Sequence, residues 1–226
     1  VVLVDDRSSD GTAELARTLA RDSRGGDMLE VVLARACPED WAGKLWAMAE
    51  GLEATAGQQA PWLWLTDADI SHQPWVLRSL VTRAERDGLD LCSVMARLRV
   101  EDRWDALVVP AFVYFFAKLY PFAWVASRDH ATAGAAGGCM LVRRVALERA
   151  GGLQSIASAL IDDCALASII KTRGRPSGGR LWLGHSQAVA SRRRYQGPSG
   201  MWQTVSRTAF SQLGFSAVAL LGTVVG

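Results

Sequence analysis

Apolar and polar positions follow two periods along the chain. Short apolar runs suited to strands fall at 1–4 (VVLV), 29–34 (LEVVLA), 62–66 (WLWLT), 89–95 and 180–183 (RLWL). Helical spacing marks 11–21, 43–55, 75–87 and 161–172 between them. This order predicts an α/β fold with parallel strands joined by right-handed helical crossovers. Ligands of such sheets bind beyond the carboxyl ends of the strands. Asp5, Asp6, Asp67 and Asp69 all follow predicted strands, and no internal repeat or low-complexity linker interrupts the pattern.

Two segments break it. Residues 105–126 (DALVVPAFVYFFAKLYPFAWVA) are long enough to span a bilayer but contain Pro110, Lys118 and Pro121 and are crowded with aromatics. They are expected to form a helix or a pair of helices lying in a membrane surface, with Phe112, Phe115 and Phe116 toward lipid; the alternative is a buried aromatic core. Residues 213–226 (LGFSAVALLGTVVG) are apolar and uncharged, and read as the start of a membrane helix or as a buried core helix. The chain opens at Val1 on a strand already under way, so a segment is expected upstream of it.

Composition narrows the function classes. With 226 residues, 50% of them hydrophobic, one substantial core can be buried. The 25 basic and 23 acidic residues nearly cancel, which leaves no electrostatic footprint for nucleic acid. Cys37, Cys92, Cys139 and Cys164 are widely spaced with no C-x-x-C pair, which fits reduced thiols and excludes a zinc-binding pattern. His72, His130 and His185 stand isolated, and each reads as a surface or core residue.

The candidate chemistry lies in the acids. In WLWLTDAD the carboxylates Asp67 and Asp69 are one residue apart, and on an extended segment both would reach one point past the strand end. Such a pair suits a hard divalent ion, Mg2+ or Mn2+, completed by substrate phosphate and water; the alternative is that both acids cap a turn before the helix near Pro74. In VVLVDDRSSDGT, Ser8, Ser9 and Asp10 can cap the following helix and leave Asp5 and Asp6 to accept hydrogen bonds from a base or ribose. In IDDCALA, Asp162 and Asp163 are neighbours at a helix start; they point about 100 degrees apart and cannot both face one hydroxyl. Gly137 and Gly138 permit close backbone approach to a ligand, or form a plain tight turn.

Taken in order, VVLVDDRSSDGTAELA, WAGKLWAMAEGL, LWLTDAD, GGCMLVRR and IDDCALA resemble the family 2 glycosyltransferases of GT-A fold. YFFAKLYPFAW, AAGGCMLVRR and LIDDCALA are similar to its lipid-directed branch, the ceramide glucosyltransferase-like and bacterial hopene-associated membrane enzymes. The resemblance implies a mixed sheet flanked by helices and a catalytic domain over 1–190 that includes an interfacial segment at 104–126. A basic juxtamembrane segment at 191–212 and a truncated membrane helix at 213–226 would follow. It implies inverting transfer from a nucleotide-sugar donor, foremost a UDP-sugar, to a lipid acceptor, at the cytoplasmic face of a bacterial inner membrane.

Roles follow residue by residue. Asp6, with Asp5 in reserve, would contact the nucleotide; Asp67 and Asp69 would meet ribose, sugar and metal, with Asp69 the preferred ligand. Lys44 would add a cation beside the phosphates, and Gly137 and Gly138 would lie under donor sugar and acceptor. Asp163 would be the base and Asp162 a cap or positioning residue. The (Q/R)-x-x-R-W element of the branch is not intact in SRRRYQGPSGMWQTVSR, so Arg192, Arg193 or Arg194 would replace its charge and Trp202 would stack at the acceptor mouth. The arginines also suit anionic lipid. Two rival readings remain at this level: a haloacid-dehalogenase-type phosphatase, disfavoured because its D-x-D closes the first strand, and a non-catalytic membrane-associated scaffold.

Overall fold

The computed structural model describes residues 1–22 and 28–194. They cluster into two compact units, one of Val1–Ala60 with Gly151–Asp162, the other of Pro61–Ala150 with the chain from Asp163 onward.

In the first unit, β1 (Val2–Asp5) and β2 (Glu30–Leu33) pair in parallel, Val2 opposite Glu30 and Asp5 opposite Leu33. The helix α1 (Thr12–Asp22) lies between them in sequence, as a parallel connection requires. Asp10 caps α1, its Oδ1 accepting from Thr12 N–H at 3.1 Å and Thr12 Oγ1 at 2.6 Å. The helix α2 (Gly43–Ala54) packs on β1, closely enough that a Cβ at Gly51 would come within 2.9 Å of Val4 Cγ2. Buried Glu50 on α2 fixes the chain leaving β2: it accepts from Arg35 N–H at 2.9 Å and from Arg35 Nε at 3.0 Å.

The second unit holds a five-stranded mixed sheet in the order β3-β6-β5-β7-β4. Its strands are β3 (Trp62–Leu65), β4 (Ile70–His72), β5 (Leu91–Arg97), β6 (Met140–Arg143) and β7 (Leu181–Ser191). Only β5 and β7 run parallel; β6 is antiparallel to both β3 and β5, and β4 is antiparallel to β7. The expectation of parallel strands therefore holds for β1–β2 and β5–β7, and the mixed sheet agrees with the resemblance. On α3 (Val76–Arg86) the residues Val76, Leu80 and Ala84 recur every four positions and bury one stripe against Cys92, Val94 and Leu141 of the sheet. Fully buried Leu91, Leu141 and Leu181 each contribute about 1.5–3 kcal/mol by leaving water.

The aromatic segment is two helices, α4 (Arg103–Leu119) and α5 (Phe122–Ala126), separated at Tyr120–Pro121. Asp102 caps α4 by accepting from Trp104 and Asp105 N–H, both at 2.8 Å. Asp105, Val109 and Phe116 are buried and Phe112 is half-buried, a stripe at helical spacing. This corrects the expected lipid face: Phe116 belongs to the core, and Trp104, Leu107 and Tyr114 are the exposed large residues of α4. Among the described residues no helix is long and apolar enough to cross a membrane. A short helix, α6 (Arg144–Arg149), follows β6, and α7 (Asp162–Arg173) precedes β7. Near the end of α7, Lys171 Nζ donates to the carbonyl oxygens of Trp124 (3.0 Å), Val125 (3.0 Å) and Thr132 (2.5 Å), tying α5 and the loop after it to α7.

Candidate active site

In the first unit the candidate residues gather at the carboxyl end of β1. Asp5 is buried at 4% exposure, and its Oδ1 has no hydrogen-bond partner among the described residues. A buried carboxylate oxygen without a donor costs free energy that an N–H or O–H of a ligand would recover. Asp6 is exposed, and its Oδ2 would lie 3.7 Å from a Cβ at Gly43, which places it beside the first turn of α2, where backbone amides favour negative charge. Arg7 follows with φ 59, a left-handed conformation rare for a side chain of its size and held by the loop between β1 and α1. Lys44 on the same turn of α2 meets Asp162 Oδ2 at 3.0 Å, an ion-pair distance outside hydrogen-bonding geometry. Asp162 is thus bound to a cation.

In the second unit Asp67 and Asp69 lie on the turn between β3 and β4, because β3 ends at Leu65. Strand alternation therefore does not aim them. The turn does: Ile70 N–H donates to Asp67 O at 3.3 Å, and Arg192 N–H donates to Asp69 O at 2.7 Å. Neither acid caps α3, which has no side-chain cap.

Thr66, just before this turn, is the hub. Its hydroxyl lies 2.9 Å from Gly138 O, 3.2 Å from Asp67 O and 2.9 Å from His72 Nε2. The hydroxyl has one proton to share among two carbonyl oxygens and the ring nitrogen, and the direction of its bond to His72 Nε2 follows the tautomer of the ring. His72 Nδ1 is buried and without a partner among the described residues. Burial lowers the pKa of His72 and keeps the ring neutral. Gly138 allows this closeness: a Cβ there would meet Ile70 Cδ1 at 3.1 Å. The adjacent Gly137 N–H donates to Asp163 Oδ2 at 2.8 Å, and Cys164 N–H donates to Asp163 Oδ1 at 2.7 Å. The glycine loop thus links the end of β3 to Asp163, with the Thr66 hydroxyl bound to Gly138 O and the Asp163 carboxylate to Gly137 N–H.

The donor set fits a hard divalent cation completed by substrate. Asp67 and Asp69 are half-buried carboxylates one residue apart on a fixed turn, and Mg2+ and Mn2+ sites commonly take one or two carboxylates plus phosphate and water. Among the described residues no three or more His, Cys, Asp or Glu side chains are grouped to hold a metal without a ligand's help.

A profile described as Glycosyl transferase family 2 matches residues 1–151, more than half of the chain. The chain belongs to glycosyl transferase family 2. Its α/β architecture, a mixed sheet with flanking helices, is the GT-A fold expected of a member, and the match removes the phosphatase reading. No curated protein matches the sequence. Among solved structures, glucosyl-3-phosphoglycerate synthase from Mycobacterium tuberculosis in complex with phosphoglyceric acid is 20% identical with TM-score 0.49, covering 94% of this chain and 68% of its own. Mannosyl-3-phosphoglycerate synthase from Rubrobacter xylanophilus is 18% identical with TM-score 0.45, covering 96% and 64%. S. aureus TarS 1-349 in complex with UDP-GlcNAc is 14% identical with TM-score 0.48, covering 88% and 51%. The chain spans about half to two thirds of the length of these structures.

Within family 2, the residues marked in the sequence fall into two groups: Asp5, Asp6, Lys44 and Asp162 in the first unit, and Asp67, Asp69, Gly137, Gly138 and Asp163 in the second. Arg193 and Arg194 follow β7, and Arg194 Nε stands 3.8 Å from Glu101 Oε2. Trp202, most of the 191–212 segment and all of 213–226 lie outside the described residues. Sequence reading passed over Thr66 and took His72 for a surface or core residue. The only signal was position, a hydroxyl immediately before the D-x-D and a histidine a few residues after it.

Proposed function

We propose that this chain is an inverting glycosyltransferase that moves a sugar from a nucleotide-sugar donor, a UDP-sugar first, to a hydroxyl of a ceramide- or hopanoid-like lipid. In this reading it works at the cytoplasmic face of a bacterial inner membrane. The observation that carries it is the run of hydrogen bonds from Thr66 through Gly138 and Gly137 to Asp163, which holds a carboxylate at a fixed position relative to the D-x-D turn.

Asp5 and Asp6 take the nucleotide, where the unmet oxygen of Asp5 accepts from a base or ribose. Asp67 and Asp69 hold Mg2+ or Mn2+, which when bound supplies Lewis-acid neutralisation of the departing diphosphate. Lys44, paired with Asp162, adds positive charge near the donor. Asp163 takes the proton of the attacking hydroxyl, and direct attack by that oxygen inverts the anomeric centre. Arg193, Arg194 and Trp202 supply the closing contacts on diphosphate and acceptor. Lipid delivery is supported by the exposed face of α4, with Trp104, Leu107 and Tyr114 54%, 66% and 71% exposed, and by Trp124 on α5.

Two measurements test this reading. Calorimetry with UDP-glucose and Mn2+ should show metal-dependent binding that Asp69→Ala removes without loss of helical circular dichroism. Equal affinity in the folded variant would show the metal to be held elsewhere. Sedimentation with anionic vesicles should show binding that salt weakens, and replacing Trp104, Leu107 and Tyr114 by Ser should abolish the remainder. Indifference of the folded wild-type chain to vesicles would remove the lipid assignment.

A further inference from the structure

The edge of the five-stranded sheet carries a feature that the roles above leave unused. Opposite the two-residue step from Met95 to Arg97 of β5, β7 advances from His185 to Ala190, so the stretch around Gln187 bulges out of register before β7 pairs with β4. Bulges re-aim side chains and occur beside active sites. Here the bulge opens a groove of about 560 Å³ between β4, β7 and residues 97–100.

The lining of this groove is one-sided in charge. Arg97, Arg99 and Arg192 border it together with His72, Gln73 and Gln187, and no Asp or Glu does. Arg99 is paired with Glu101. Among the described residues, the guanidinium groups of Arg97 and Arg192 have no ion-pair partner. Guanidinium forks suit oxyanions, phosphate above all, through paired N–H donors. Arg192 also joins the groove to the D-x-D turn, since its backbone N–H is the group bound to Asp69 O. Yet neither Asp67 nor Asp69 lines the groove, so an anion seated there is a different group from the diphosphate that a metal on those carboxylates would hold.

We infer that this groove is an oxyanion subsite for the acceptor: the molecule that receives the sugar carries a phosphate or carboxylate, which Arg97 and Arg192 grip beside the D-x-D turn. The inference rests on the transfer reading above and narrows its acceptor to a lipid that also carries a phosphate or carboxylate, because a plain ceramide or hopanoid has neither and would leave both guanidiniums unmet. The site recognises charge and supplies orientation; the chemistry stays with Asp163. Held at one end by its anion, the acceptor loses rotational freedom before its hydroxyl meets the base.

The test uses inorganic phosphate as the groove probe and UDP with Mn2+ as the donor probe, each titrated calorimetrically into wild type, Arg97→Gln, Arg192→Gln and the double variant. The expected result is saturable phosphate binding by wild type, at least tenfold weaker in each single variant and absent in the double, with UDP–Mn2+ affinity unchanged throughout. Arg97→Lys should recover part of the phosphate affinity, which a purely structural role for Arg97 would not predict. Phosphate binding that survives the double substitution, or is absent from wild type, overturns the inference. Loss of UDP–Mn2+ affinity together with phosphate affinity in folded variants also overturns it, by assigning the arginines to the donor. Failure of wild type to bind UDP–Mn2+ while phosphate binding follows the arginines sinks the transfer reading and leaves the anion groove standing.

Discussion

Asp163 Oδ2 accepts the backbone N–H of Gly137 at 2.8 Å, so the candidate base is anchored to the loop whose next residue, Gly138, is bound by Thr66. Asn at 163 can keep that acceptor, while its amide nitrogen replaces the second carboxylate oxygen, which accepts Cys164 N–H. Asp163→Asn should therefore retain donor binding and lower transfer by about 10²–10⁴-fold. Asp162→Asn, which only weakens the ion pair to Lys44, should cost far less. Single-turnover assays on both variants decide the matter; the reverse order of effects would place the base at Asp162.

Asp90 predicts stability, separate from chemistry. It is 1% exposed, accepts Arg180 N–H at 2.8 Å and lies 2.6 Å from Arg175 Nε. Truncation takes the carboxylate from a partly exposed Arg175 and strands the Arg180 backbone donor, so Asp90→Ala should destabilise by about 1–3 kcal/mol. Asp90→Asn keeps the backbone bond and should lose less. Urea denaturation gives the ranking, and equal midpoints for Ala and wild type would show the network to be idle.

His72 should leave a mark on the pH dependence of stability. Its folded-state pKa lies below the usual histidine value because of burial. As pH falls through about 6.5 the unfolded chain takes up this proton first, so stability from this group is constant above that pH and declines below it. The decline ends only when the folded-state pKa is passed. Thermal melts of wild type and His72→Gln between about pH 7.5 and about pH 5 should converge at the acid end if the variant starts less stable. Parallel curves would mean that His72 titrates normally.

The thiols should divide three to one. Burial pushes Cys92 and Cys164 up to about 12 and raises Cys139 as well, whereas Cys37 is exposed. Since the thiolate is the reactive form, alkylation of the folded protein near pH 8 should modify Cys37 alone. Mass spectrometry would count the adducts, and fast modification of a second cysteine would show that the core opens.

Much of this was legible beforehand. The strands β1, β2 and β3 and the helices α1, α2, α3 and α7 fall within a residue or two of their sequence signals, because apolar period and burial agree there. β4 went unread because Ile-Ser-His is too short to establish a period. β6 was hidden inside a motif read for its glycines, and the reading of β7 stopped at Leu183 because Gly-His-Ser-Gln looks like a loop until its pairing with β5 and β4 is known. Side-chain direction was the harder part. Apolar residues surround α4, so composition alone could not tell that Phe116 turns inward while Tyr114 turns out. Asp67 and Asp69 were expected on the strand end, whereas β3 stops at Leu65 and they lie on the turn before β4.

The three carbonyls held by Lys171 have a mechanical consequence. Asp163 and Lys171 sit on one helix, eight residues and roughly 12 Å apart, and an α-helix is stiff along its axis. The ammonium acts as a bolt at one end of a push-rod whose other end is the carboxylate fastened to Gly137. A pull on Trp124 strong enough to move α5 must either shear three hydrogen bonds or carry α7 with it, so the aromatic helix and the acid share one rigid link rather than a hinge.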